Sequence, residues 1–170
     1  ASLPEEFEKR RGYSLIPWIP VLCGETIGSS PESEAFLYDF RKTIAGLIEE
    51  NYYRHLRDLC HRNHLEFHAE VIYGNYSYPP LDILKTNSYV DFPMTEFWTS
   101  SGPENLVAYH PAQKPELHLP VSAGKAYGIK VTGAEAYTGL AHFSESLSDL
   151  KPFADKAYSE GINQFVLHSI

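Results

Sequence analysis

The sequence predicts an α/β fold with a parallel sheet, and three observations support this prediction. Strand patterns alternate with helical patterns, the repeat is about 30 residues long, and each strand pattern stops at a polar residue. Because parallel strands need a crossover between them, this alternation is typical of βαβ units. The pattern predicts only four strands in the 170 residues. We therefore predict about half of a (β/α)8 barrel.

The N-terminal part of the chain is predicted to be helical. A short helix is expected over residues 2–12, because Ser2 can cap its start, Pro4 suits its first turn and Gly12 can end it. A Pro-rich loop is expected next. A long helix is then predicted over residues 33–63, where apolar residues recur at helical spacing.

Strand and helix patterns alternate in the rest of the chain. The strands are predicted at 65–74, 89–98, 129–139 and 162–170, and the helices at 79–88, 115–127 and 147–161. The last helix has an apolar face and ends at Gly161. Four strands of this kind leave two open sheet edges, so we expect them to be covered by the rest of the barrel or by other copies of the chain.

A polar residue stands near the carboxyl end of each predicted strand, where the active site of a (β/α)8 barrel lies. These residues are Glu70, Glu96, Glu135 and His168. A doubly wound sheet would also place chemistry at this edge, but no G-x-G-x-x-G motif follows a strand. Three carboxylates and an imidazole at one edge indicate acid–base or metal chemistry.

Charge and hydropathy exclude two classes of partner. The formal net charge is -8, whereas nucleic acids and anionic membranes require clustered Lys and Arg. No apolar run approaches the roughly 20 residues of a membrane span. We therefore predict neither a nucleic-acid partner nor a membrane partner.

Four ordered motifs extend over nearly the whole chain. They read "DFRKTIAGLIEENYYRHLRDLCHRNHLEFHAE", "FPMTEFW", "AEAYTG" and "LKPFADKAYSEGINQFVLHS". Together they resemble glycoside hydrolase family 106, the α-L-rhamnosidases. The resemblance implies that residues 1–170 are strands five to eight of the catalytic barrel, with their helices, in a larger multidomain protein. The sequence contains no motif that fixes the location, and for the intact protein we expect a periplasmic or extracellular bacterial one.

The resemblance further implies inverting hydrolysis of terminal α-L-rhamnosides from plant or microbial polysaccharides and glycosides. A calcium ion would bind the hydroxyl groups of the sugar, and Glu135 of "AEAYTG" matches the general base. The general acid would be a glutamate on strand four, upstream of Ala1. The isolated chain is therefore expected to be inactive.

The other candidates each have a functional and a structural interpretation. Glu96 is a candidate calcium or sugar ligand or an orienting carboxylate, and Glu70 a sugar or metal contact or a salt-bridge partner. His168 would hydrogen-bond the substrate or Glu135, or be a core histidine. Trp98 and Tyr137 would stack on a sugar or pack under a loop.

Two alternative functions remain at this point. The first is a non-catalytic barrel fragment that binds carbohydrate or is purely structural, in which Glu135 forms an ion pair at the rim. The second is a retaining glycosidase of different sugar specificity, with Glu135 as nucleophile. Carboxyl groups about 5 to 5.5 Å apart favour the retaining route, and about 6.5 to 9.5 Å the inverting one.

Overall fold

The computed structural model describes residues 2–71, 81–99, 117–139 and 145–168. The chain divides into two compact units. Of the described residues, the first unit contains 2–52 and 81, and the second contains 53–71, 82–99, 117–139 and 145–168. Parts of the first and fourth predicted strands, and of the helix predictions at 79–88 and 115–127, lie outside the described residues.

The first unit is helical. Helix α1 spans Leu3–Arg11, a 3-10 helix spans Ile16–Cys23 and helix α2 begins at Ser30. The backbone N–H of Ser2 donates to the Glu5 carboxylate at 2.8 Å, which supports the start of α1 as the sequence predicts. The 3-10 helix lies within the segment predicted to be a loop.

Aromatic side chains form the core of the first unit. Phe7 and Phe36 are buried, and the Trp18 ring stacks on Phe36 with centroids 5.6 Å apart. Beside this core, the Arg10 guanidinium donates two hydrogen bonds to the Glu50 carboxylate, at 3.0 and 2.6 Å. This fork-to-carboxylate geometry ties α1 to the helical segment that follows α2.

The prediction of one long helix over residues 33–63 is wrong in two details. Helix α2 covers Ser30–Ile48, a π-helical segment covers Glu49–Arg54, and α3 covers His55–Arg62. The helix starts early because Ser29 and Glu32 form a capping box, with the Ser29 N–H donating to Glu32 at 2.8 Å. The π segment interrupts the regular helical spacing, and the boundary between the two units falls inside it.

The second unit contains a four-stranded parallel sheet, as predicted. Strands β1 (His68–Glu70), β2 (Phe92–Trp98), β3 (Gly133–Thr138) and β4 (Gln164–Leu167) lie side by side in chain order. Between them along the chain are α4 (Ile83–Asn87), α5 (His118–Tyr127) and α6 (Leu147–Glu160). A sequentially ordered parallel sheet is consistent with part of a barrel.

One face of this sheet carries the hydrophobic core. Side chains alternate between faces along a strand, and Phe97, Ala134 and Ala136 are completely buried on one face. They form one cluster with residues of, or next to, α5 and α6, namely Leu117, Val121, Phe153, Ala157 and Ile162. These two helices therefore pack on that face, and the glutamates lie on the other.

Gly133 is required by close packing on the glutamate face. A Cβ atom at this position would stand 2.2 Å from Phe92 Cε2 and 2.8 Å from Met94 Cγ. Any larger residue would push the Phe92 ring away from β3.

None of the described helices is long and apolar enough to cross a membrane.

Candidate active site

Strand register brings the predicted site residues to one face of the sheet. Glu70 ends β1 and pairs with Met94, two residues before Glu96 on β2. Glu96 pairs directly with Glu135 on β3. Glu135 in turn pairs with Val166, two residues before His168, which follows β4. Because residues two apart share a face, all four side chains belong to the same face.

A β-bulge follows Glu135. Glu96 pairs with Glu135 but Trp98 pairs with Thr138, so β3 uses one more residue than β2 between the two pairs. Tyr137 takes up the extra residue and has a φ of 65°, in the left-handed region that residues other than glycine rarely adopt. Such backbone strain often occurs next to functional residues.

The bulge brings a hydroxyl group to the Glu135 carboxylate. Thr138 Oγ1 donates to Glu135 Oε1 at 2.9 Å, and Thr138 is only 4% exposed. His168 Nδ1 lies 3.6 Å from the same oxygen, within ion-pair range but too far for a good hydrogen bond. The His168 backbone N–H donates to the carbonyl of Ala136 at 3.3 Å, which holds the end of β4 beside β3.

Glu70 is in an unfavourable environment for a carboxylate. Burial, followed by the negative charges of Glu96 and Glu135, raises the pKa of Glu70 to about 7. Its Oε1 atom is buried and has no hydrogen-bond partner among the described residues. Glu96 and Glu135 both raise this pKa, so the three carboxylates lie close enough to interact electrostatically.

The structure does not bring both aromatic candidates to this group. Trp98 is half-buried, and its register places it on the glutamate face. The Tyr137 ring instead packs edge-on against Phe97 at 5.3 Å and Phe165 at 5.7 Å, beside the core of α5 and α6. The bulge turns this ring to the helix side, so it does not reach the position of a stacking wall beside Glu135.

Sequence reasoning missed Thr138. It lies three positions after Glu135, and in a regular strand that spacing puts two side chains on opposite faces. Nothing in the sequence indicates the bulge that reverses this, apart from the glycine at 139. A Cβ atom on Gly139 would lie 2.2 Å from Thr99 Oγ1, so β3 must leave the sheet closely against the end of β2.

Carboxylates grouped on one face of a parallel sheet are the kind of site that glycoside hydrolases use, since these enzymes work with paired Asp or Glu residues. The family model for α-L-rhamnosidase, glycoside hydrolase family 106, matches residues 1–170. The chain therefore belongs to this family.

The individual proteins that are similar to the chain include a curated relative and a solved structure. A protein of Formosa agariphila named "Putative beta-glucuronidase" is 37% identical over 169 residues, which is 99% of this chain and 13% of the relative. The solved structure of a rhamnosidase from Novosphingobium sp. PP1Y matches with a TM-score of 0.78 and 27% identity, over 99% of this chain and 16% of that one. The chain thus spans less than a fifth of either protein.

Proposed function

We propose that the protein containing this chain is an inverting glycoside hydrolase that cleaves terminal α-L-rhamnosides of polysaccharides or glycosides. Its general base is Glu135. The observation that carries this proposal is the position of Glu135 on the glutamate face of the sheet, in register with Glu96 and close enough to Glu70 to raise the pKa of Glu70. Family membership and the rhamnosidase fold support it.

The contacts of Glu135 suit a base that takes a proton from water. Among the described residues, the hydrogen bond from Thr138 and the approach of His168 both involve Oε1. Oε2 is then the atom that accepts the proton while the water oxygen attacks the anomeric carbon; the glycosidic bond breaks, and a second carboxyl group, the general acid, protonates the leaving oxygen. The carboxylate is partly exposed, with a relative side-chain accessibility of 26%, so a water molecule can reach it.

We also propose that this chain supplies strands five to eight of a (β/α)8 barrel. The strand order follows the chain order, and α5 and α6 pack on the face opposite the glutamates. In a barrel that face is the outside, and the glutamates point to the interior near the carboxyl ends of the strands. The remaining strands would cover the edges of β1 and β4.

A calcium ion fits this group of carboxylates in part. Glu70 Oε1 is buried and has no hydrogen-bond partner among the described residues, and the Glu96 carboxylate lies near enough to raise the pKa of Glu70, so both groups can offer hard oxygen ligands. However, no three acidic, His or Cys side chains of the described residues are close enough to form a metal site alone. We propose that Glu96 and Glu70 supply two of the six to eight oxygens that calcium takes. When bound, the ion would hold sugar hydroxyls and neutralise the acidic face.

When no calcium is bound, the acidic face also favours a neutral sugar. A glucuronide carries a carboxylate, which Glu70, Glu96 and Glu135 would repel on this face. A rhamnoside has no charge. A β-glucuronide is nevertheless the second substrate to test, because the Formosa agariphila relative is named for that activity.

The test is Glu135→Gln in the protein that contains this chain, assayed with an aryl α-L-rhamnoside and an aryl β-glucuronide. The amide keeps the size of the side chain but cannot take a proton, so turnover should fall by the 10²- to 10⁴-fold typical of general-base catalysis. Ligand affinity should stay within about tenfold, because binding in the ground state is retained. Glu160→Gln, at an exposed ion pair on α6, is the matched control and should keep wild-type turnover. Wild-type turnover in Glu135→Gln would refute the assignment.

A further inference from the structure

We propose that Thr138 is a positioning residue for Glu135, and that the bulge at Tyr137 exists to place it there. The hydroxyl of Thr138 would fix Oε1 of the carboxylate so that Oε2 faces the attacking water. This inference rests on the proposed role of Glu135 as general base, and it adds a residue that the family resemblance does not assign.

Register shows why the bulge is necessary. Thr138 lies three residues beyond Glu135. In a regular strand that spacing would make its side chain point to the helix-covered face. With the bulge, Thr138 pairs with Trp98, which lies two residues beyond Glu96 and therefore on the glutamate face. The extra residue exchanges the two positions, so that Thr138 reaches the carboxylate and Tyr137 enters the core.

The strained conformation of Tyr137 is compensated in that core. Its φ of 65° is unfavourable for a residue with a side chain, and glycine would adopt it without strain. The Tyr137 ring instead makes edge-to-face contacts with Phe97 and Phe165. Aromatic pairs of this geometry are favourable beyond their buried area. The ring thus holds the bulge in place from the opposite side of the sheet.

The hydrogen bond from Thr138 is specific to the carboxylate. Thr138 is buried, so its hydroxyl has little access to water, and its donor goes to Glu135 Oε1 at 2.9 Å. A donor to an ionised oxygen makes a stronger bond than a neutral pair. A carboxylate held at one oxygen cannot rotate freely about its last bond, which keeps the other oxygen in one direction. Misplacing a catalytic group by 1 Å can cost about 10²-fold in rate.

The experiment compares four variants in the protein that contains this chain, with kcat, KM and thermal midpoint measured for each. Thr138→Val keeps the branched shape but removes the hydroxyl, and we expect kcat to fall about 10- to 100-fold with KM within about threefold. Thr138→Ser keeps the donor and should restore most of kcat. Thr138→Ala removes the hydroxyl without the bulk of valine, and it replaces Thr138→Val if that variant does not fold. Thr86→Val, at a buried threonine of α4 whose hydroxyl donates to the Asp82 carbonyl, is the matched control and should change only the midpoint.

A double variant separates this inference from the proposed function. If Thr138 acts through Glu135, adding Thr138→Val to Glu135→Gln should lower kcat no further. An inactive Glu135→Gln together with wild-type kcat in Thr138→Val and Thr138→Ala overturns the inference alone. Equal losses in Thr138→Ser and Thr138→Val also overturn it, because the hydroxyl would then not matter. Full turnover in Glu135→Gln overturns the proposed function and the inference with it.

Discussion

Glu96 on β2 is the register partner of Glu135 on β3, so two carboxylates stand side by side on one face of the sheet. Neighbouring strands are only about 4.8 Å apart, and like charges at that separation repel. The negative charges of both carboxylates also raise the pKa of Glu70 on β1. A fold that keeps three acidic groups together needs a proton, a cation or a substrate to compensate them, and each possibility gives a measurement.

Calcium should stabilise the protein that contains this chain. A ligand that binds only the folded state at about 100 times its dissociation constant adds about 2.7 kcal/mol to the free energy of unfolding. We expect calcium to raise the thermal midpoint after chelation, and Glu96→Gln to reduce this rise. Asp155→Asn, at an exposed ion pair of α6, is the control and should leave it unchanged. An equal rise in wild type and Glu96→Gln would show that Glu96 does not bind the ion.

Without calcium, Glu70 should make stability depend on pH. The pKa of Glu70 is raised from 4.5 to about 7 in the folded protein, so between these values the folded state binds more protons than the unfolded chain. The stability due to this group is therefore present below pH 4.5 and is lost as the pH rises through 7. Glu70→Gln cannot titrate.

Thermal midpoints measured with a chelator should show this difference directly. Relative to wild type, Glu70→Gln should become progressively more stable as the pH rises from 4.5 to about 7, and the difference should be constant at higher pH. Glu160→Gln provides the comparison for an exposed glutamate. A difference between Glu70→Gln and wild type that is independent of pH would contradict the prediction.

Gly133→Ala should destabilise the protein. The new methyl group would lie 2.2 Å from Phe92 Cε2 and 2.6 Å from Cζ, so the ring must move. Overpacking of this kind typically costs about 1–3 kcal/mol of unfolding free energy, measurable by denaturant titration. Phe92→Leu in the same chain makes room for the methyl group and should recover part of the loss. Additive losses in the double variant would mean that the Phe92 ring is not the obstacle.

The stereochemistry of hydrolysis should identify the route. In an inverting mechanism the first product of an α-L-rhamnoside is the β-anomer, which proton NMR detects before the anomers equilibrate. Initial release of the α-anomer would favour the retaining alternative with Glu135 as nucleophile. A chain with no hydrolytic activity in its intact protein would favour the binding or structural alternative instead.

Local pattern was sufficient for the α/β class and for the choice of candidate residues. Alternating strand and helix patterns require crossovers, and the parallel sheet of β1 to β4 is the result. Glutamates near the carboxyl ends of such strands share an edge of the sheet in any fold of this class, so Glu70, Glu96 and Glu135 could be grouped without coordinates. The fold class and the candidate residues depend on patterns among residues close together in sequence, so they can be predicted without coordinates.

Helix ends and interruptions were less predictable. The α2 helix begins three residues earlier than expected, at Ser30, because Ser29 and Glu32 cap it. The π segment Glu49–Arg54 contains none of the Phe, Leu and Ile residues whose spacing predicted the helix, so periodicity could not reveal it. The earlier start is set by hydrogen bonds between Ser29 and Glu32 at the N-cap, which a spacing pattern does not detect.

The contacts of the Glu135 side chain could be found only from the three-dimensional structure. One inserted residue reverses the alternation of β3, and it becomes visible only when β3 is paired with β2. That pairing sends Tyr137 into the core and brings Thr138 to the carboxylate. The identity of the acid on β3 follows from local sequence, whereas its contacts depend on the register between strands. Side chains alternate between the two faces of a strand, so each added residue reverses the face of those that follow.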